Sequence, residues 1–240
     1  MKHIERFTVR WHDTNARRQM RPTALLALMQ ETSNMQFVAA GRSLDTIRDE
    51  QGVGFILSRI AFDILRPLGA FEQIRVETFT CKGHGYTFPR SFEVFCGQDL
   101  VARCHSLWAL VRVADHALVG CADFPLSFGD EPETKIDTPL RFRVPRELTF
   151  CTVGERRITF ADLDYNMHMN NTKYPDMVCD FLPDPTACRV VGMSLAYHRE
   201  AVFGDTVTVE RADGGEGVYY FRTKKDDAVC LEAMVRTEAL

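Results

Sequence analysis

No stretch of this chain is apolar for the roughly 18 to 20 residues that a membrane helix needs. A membrane span is therefore not expected. Nor is there a basic excess: 29 Lys and Arg against 33 Asp and Glu leave a formal net charge of -4. A nucleic-acid binder neutralises phosphates with surplus cations, so that class is not expected, and any anionic partner must meet a local basic patch. The start, MKHIERFTVR, is charged where a signal peptide would be apolar, and a cytoplasmic location is expected. Also missing is any CxxC pair or zinc-like cluster among eight cysteines, Cys81, Cys96, Cys104, Cys121, Cys151, Cys179, Cys188 and Cys230. Most are expected to be small buried hydrophobes, and no metal or cofactor is expected. What is present is ordinary. A chain of 240 residues, 45% hydrophobic and 26% charged, has room for one large or two small domains with a real core.

An internal duplication organises that length. VRWHDTNARRQMRPTALL in the first half aligns with ITFADLDYNMHMNNTKYP in the second, so Asp13 faces Asp162, Asn15 faces Asp164, Arg17 faces Asn166 and Gln19 faces His168. In each half a β-like run leads through a polar extended stretch into a helix and then several strands rich in Val, Ile, Phe and Thr. The first helix is expected from Pro22 to a stop at Gly41, apolar around most of its circumference, and a second from Ser43 to Gly52. Strands are expected at Val53–Leu65, Glu72–Cys81, Thr87–Phe95 and Leu100–Val113. After a helix near Thr172–Leu182, more follow at Arg189–Arg199, Thr206–Arg211, Gly217–Lys224 and Ala228–Thr237. DGGEG at 213–217 reads as a hairpin turn. Asp123 to Pro145 has the prolines and charges of a linker. The expected architecture is α+β, a tandem hot-dog of two antiparallel sheets, each curled around a central helix. The expected boundaries are 1–125, a linker at 126–146, and 147–240.

From Asp162 to Asn170 the sequence, DLDYNMHMN, alternates polar and apolar residues. In an extended chain this puts Asp162, Asp164, Asn166, His168 and Asn170 on one face and Leu163, Tyr165, Met167 and Met169 on the other. Asn and Asp are poor strand residues. Their concentration beside a histidine marks a candidate site, while an ordinary solvated edge strand stays open as the plainer reading. Asn170 and Asn171 can cap the following helix, whose first amides favour negative charge.

ADLDYNMHMNNTKYPDMV resembles the D-x-N-x-H-x-N-N-x-K-Y signature of acyl-acyl-carrier-protein thioesterases, matched at Asp164, Asn166, His168, Asn170, Asn171, Lys173 and Tyr174. Downstream, LAYHREAVFGD is similar to the family's L-x-Y-R-R-E segment and puts Glu200 in the place of its carboxylate. Plant members often carry Cys after that Glu; here Ala201 removes a thiol nucleophile from the position. His198 replaces a common Arg. The chain resembles bacterial members, and its first half, with Asn15, Arg17 and Gln19, is expected to lack chemistry.

The resemblance implies hydrolysis of a fatty acyl thioester. Glu200 and His168 would activate water, Asp164 would orient its neighbours, and Asn166 with amides at the helix start would hold the developing oxyanion. Leu25, Leu28, Met29 and Met35 of the first helix are candidates to line an acyl slot, although such a stripe is also ordinary core. The implied partner is acyl carrier protein, an acidic protein, with candidate landing areas at Arg17, Arg18 and Arg21, at Arg141, Arg143 and Arg146, and at Lys224 and Lys225. A homodimer is possible. Acyl-CoA thioesterase, enoyl-thioester hydratase or dehydratase, and non-catalytic acyl binding stay open, though the D-x-N-P-x-H spacing common in hydratases is not matched.

Overall fold

Period-two burial makes β1 (His3–Thr8) a strand with one face toward a core. After a 3-10 turn at Trp11–Asp13 comes α1 (Pro22–Ala39), opened by a proline where a missing N–H costs nothing. Helix α2 (Leu44–Gln51) is framed by Ser43, whose hydroxyl accepts the Thr46 N–H, and by Gly52 in the left-handed region. Strands β2 (Val53–Ile64), β3 (Gln73–Thr80), β4 (Thr87–Cys96), β5 (Asp99–Arg112) and the short β6 (Leu118–Val119) follow. The second half contains β7 (Cys151–Arg157), 3-10 turns at Phe160–Asp162 and Asn171–Lys173, and α3 (Tyr174–Asp180). It closes with β8 (Cys188–Tyr197), β9 (Thr206–Gly215), β10 (Val218–Lys225) and β11 (Ala228–Ala239). This computed structural model describes residues 2–124 and 126–240; Met1 and Pro125, the two limits of the first expected unit, lie outside the described residues.

Topology carries the duplication. In the first half the strand order is β1-β3-β4-β5-β2, and in the second it is β7-β9-β10-β11-β8. Each half therefore places its first strand beside its third and its second beside its fifth. The β1–β3, β3–β4 and β4–β5 pairs are antiparallel, as are their counterparts β7–β9, β9–β10 and β10–β11. The chain divides into one unit of Met1–Ile60 with Ile64–Ile136 and another of Ala61–Asp63 with Asp137–Leu240. The α+β tandem hot-dog expected from the pattern is the observed arrangement.

In the first unit α1 packs on β1 and β3, burying Leu25, Leu26 and Met29 near its start and Thr32, Ser33, Gln36 and Phe37 near its end. Ala27, Glu31 and Val38 form an exposed stripe, so the helix is not enclosed all round as its composition suggested. In the second unit Phe142, Val144, Leu148 and Phe150 lie against Ala212, Tyr220 and Met234. Asp63 anchors the start of that covering segment by accepting the Thr138 hydroxyl and the N–H groups of Asp137 and Thr138. The expectation of mostly buried cysteines fails: Cys81, Cys104 and Cys230 are buried, Cys151 is exposed, the other four are intermediate, and all eight are free thiols. Among the described residues no helix is long and apolar enough to cross a membrane.

Candidate active site

The alternating segment is a tight turn, not a strand. Leu163 bridges to Met169, the Asp164 N–H donates to the His168 carbonyl at 2.8 Å, and the Met167 N–H returns to the Asp164 carbonyl at 3.0 Å. Met167 takes a positive φ of 66°, which breaks the alternation of faces. Tyr165 and Met167 are consequently exposed while Met169 is buried. What drives the turn is the Asp164 carboxylate, whose Oδ1 accepts the N–H of Asn166 at 2.8 Å and of His168 at 3.4 Å. A short side chain bonding its own backbone two residues on is the mechanism that favours Asp in turns. Asp162 does not join a polar face. It is buried and closes a capping box with Thr159 while pairing with Arg156 at 2.7 Å. Partial burial opposes ionisation of Asp162, but the Thr159 N–H and hydroxyl, together with Arg156, outweigh it and hold its pKa below the usual carboxylate range.

A second segment delivers the carboxylate. His168 bridges to Val202, and the Met169 N–H donates to the Ala201 carbonyl at 2.8 Å. This lays Glu200 beside the imidazole, with His168 Nε2 and Glu200 Oε2 3.2 Å apart and side chains 30% and 50% exposed. The loop bearing Glu200 is held by Asp205, which accepts the Val202 N–H at 2.9 Å and pairs with Lys225 at 2.7 Å. Beneath this group, burial pushes the Tyr174 hydroxyl far above the usual phenol range. The Cys230 thiol and the carboxylates of Glu200, Asp164 and Asp205 push it the same way. The Tyr174 ring meets Tyr197 edge-on at 5.5 Å.

The first half repeats this turn bond for bond with different side chains. Asn15 Oδ1 accepts the N–H of Arg17 at 2.9 Å and of Gln19 at 3.2 Å. The Asn15 N–H donates to the Gln19 carbonyl at 2.8 Å, and Arg18 has the positive φ of Met167. Gln19 bridges to Gly69 as His168 bridges to Val202. The Met20 N–H donates to the Leu68 carbonyl as that of Met169 does to Ala201. Pro67 therefore stands where the second half has Glu200. An amide replaces the imidazole and an imino acid replaces the carboxylate, so this copy has neither member of an acid–base pair.

Other expectations fare differently. At the helix start the Thr172 and Lys173 N–H groups are both donated to Asn170, which leaves neither of these two free for an oxyanion. Leu25 and Met29 are buried, and Leu28 and Met35 are half-buried. Among the basic clusters, Lys224 pairs with Glu210 and Lys225 with Asp205. Arg141, Arg143 and Arg146 are exposed because the apolar residues between them face the Tyr220 cluster. Sequence reasoning passed over Asp205. Its signal lay in the duplication, since Glu72 accepts the Gly69 N–H at the corresponding place in the first half.

Comparison with known proteins followed the same division. Residues 1–120 match the family profile described as acyl-ACP thioesterase N-terminal domain, and residues 150–234 match the acyl-ACP thioesterase C-terminal domain. A chloroplastic oleoyl-acyl carrier protein thioesterase of Coriandrum sativum is 23% identical over 231 residues, covering 86% of this chain and 61% of that protein. A second, from Arabidopsis thaliana, is 23% identical over 228 residues, covering 85% and 60%. The chain thus spans about three fifths of the length of these curated relatives. Among solved structures, an acyl-ACP thioesterase from Bacteroides thetaiotaomicron superposes with a TM-score of 0.88 at 18% identity, covering 99% of this chain and 98% of its own. The 12:0-ACP thioesterase from Umbellularia californica gives 0.85 at 17%, covering 100% and 98%. At these identities the superpositions establish the fold.

Proposed function

The chain belongs to the acyl-ACP thioesterase family, and from that premise we propose that it hydrolyses the thioester of fatty acyl-acyl carrier protein to free fatty acid and carrier thiol. The observation that carries the reading is the His168–Glu200 pair, 3.2 Å apart and assembled by a turn whose first-half copy lacks both groups. Glu200 and His168 orient a water and take its proton as its oxygen bonds to the thioester carbonyl carbon. Asn166 is the proposed donor to the resulting oxyanion. Collapse breaks the C–S bond, and the proton passes from the imidazolium to the leaving thiolate. Asp164 serves through position, since its Oδ1 holds the backbone that carries Asn166 and His168. Leu25, Leu28, Met29 and Met35 are the proposed contacts for the acyl chain. A cytoplasmic location belongs to the same reading.

The test is thiol release from acyl-carrier-protein and CoA thioesters of graded chain length, run beside an enoyl hydration assay. Release is expected, fastest from the carrier protein, and His168→Ala should lower turnover by about 10²–10⁴-fold. Hydration without thiol release, or binding without either, would overturn the hydrolase reading.

A further inference from the structure

Arg90 is a buried cation with no carboxylate partner among the described residues. It lies on β4 facing α1 and is only 5% exposed. Nη1 donates to the Gln36 amide oxygen at 2.6 Å and to the Thr78 hydroxyl at 3.0 Å. The rings of Phe37 and Phe128 stand 5.7 and 5.9 Å from its Cζ, and Phe37 continues into a cluster with Phe55 at 5.8 Å. Every one of these partners is neutral. By contrast Arg10, Arg66 and Arg75 each pair with a carboxylate. Burial lowers the Arg90 pKa to about 10, so the guanidinium is charged at neutral pH. A buried charge is costly unless paired. The rings and the nearby C-terminal end of α1 offset part of that cost, but neither supplies a counter-charge.

Both hydrogen bonds leave from the same nitrogen. Among the described residues no hydrogen bond engages Nε or Nη2, which form the edge of a guanidinium that matches a carboxylate with two parallel donors. The buried side of α1 points the same way. Leu25, Met29, Thr32 and Gln36 succeed one another at helical spacing, all buried. The stripe turns from hydrocarbon to hydrogen-bonding groups over about 16 Å of helix. An acyl chain laid along it has apolar partners at one end and Gln36 with Arg90 at the other.

We propose that Arg90 binds an oxygen function at the far end of the acyl chain, a terminal carboxylate above all, so that the enzyme accepts ω-carboxyacyl thioesters. This rests on the acyl-thioesterase reading and on α1 lining the acyl site. It is tested with thioesters of equal length ending in methyl, hydroxyl, ketone or carboxylate, and separately by calorimetric binding of a long-chain α,ω-dicarboxylate against the monocarboxylate of the same length. The wild type should favour the carboxylate-ended substrate through KM, and bind the dicarboxylate more tightly, by about tenfold or more. Arg90→Met should erase both ratios. Arg90→Lys, which keeps the charge but not the fork, should retain part of each and gives the reading if the Met variant does not fold. Thiol release with no end-group preference and ratios unmoved in either variant would overturn the Arg90 site alone. Dicarboxylate selectivity without thiol release would leave the site standing and overturn the hydrolase reading.

Discussion

The first half of the chain supplies a control for the positioning role proposed for Asp164. In both copies a side-chain Oδ1 accepts two backbone N–H groups, from Asn166 and His168 in one and from Arg17 and Gln19 in the other. The first-half acceptor is Asn15, so an amide oxygen suffices to hold the turn. Asp164→Asn is therefore expected to leave thermal stability within about 0.5 kcal/mol of wild type, whereas Asp164→Ala should cost about 1 kcal/mol by orphaning the turn amides. If negative charge at Asp164 matters to the reaction, the Asn variant loses turnover despite its intact turn. Equal turnover in the Asn variant and wild type would reduce Asp164 to a scaffold. At this scale the alternation marked Asp164, Asn166 and His168 as candidates, and only the family resemblance added Glu200. The turn itself was not legible: a five-residue Asx turn with a left-handed fourth residue, Met167, mimics the period-two pattern of a strand. Nor was the occupation of the Thr172 and Lys173 amides, which follows from Asn170 folding back on them.

Elements in this chain are set by short local devices, and the second-half turn hangs on one of them. Thr159, Asp162 and Arg156 fix the 3-10 turn that launches the segment leading to Asp164. Because the pKa of Asp162 is depressed in the folded state, its contribution is fully present above the unfolded carboxylate value of about 3.9 and disappears as pH falls through the lower folded value. Asp162→Asn should therefore melt below wild type near neutral pH. The gap in Tm should close as the pH drops below about 4. A gap independent of pH would assign the loss to hydrogen bonding rather than to charge. Pro22, Ser43 and Gly52 announced α1 and α2 from the sequence because capping chemistry is local. β9 was less visible, running four residues past its expected end through Gly214 and Gly215. Glycine reads as a turn signal, but a Cβ at Gly214 would stand 2.9 Å from the Tyr220 ring. The residue is small there to admit a ring from β10, a tertiary cause that no local pattern displays.

On the scale of the whole molecule, duplication followed by divergence left one copy with the His168–Glu200 pair and the other with Gln19 and Pro67. The alignment of the two halves made this asymmetry legible at Gln19. Pro67 was not, because it meets Gln19 only through the pairing of two segments distant in sequence. Charge poses a related question. An acidic carrier approaching a chain of net charge -4 is repelled at long range unless cations cluster where it lands. The three basic clusters had equal standing before the fold was known, since ion pairing is a tertiary property. Lys224 and Lys225 are committed to Glu210 and Asp205, whereas Arg141, Arg143 and Arg146 are exposed. Reversing those three arginines to glutamate should raise KM for acyl-carrier-protein thioester relative to a small neutral thioester by about tenfold at low salt. The difference should shrink as ionic strength shortens the reach of the field. A KM that rises equally on both substrates would trace the effect to the fold, where Phe142 and Val144 between these arginines cover the Tyr220 cluster, and would move the landing area elsewhere.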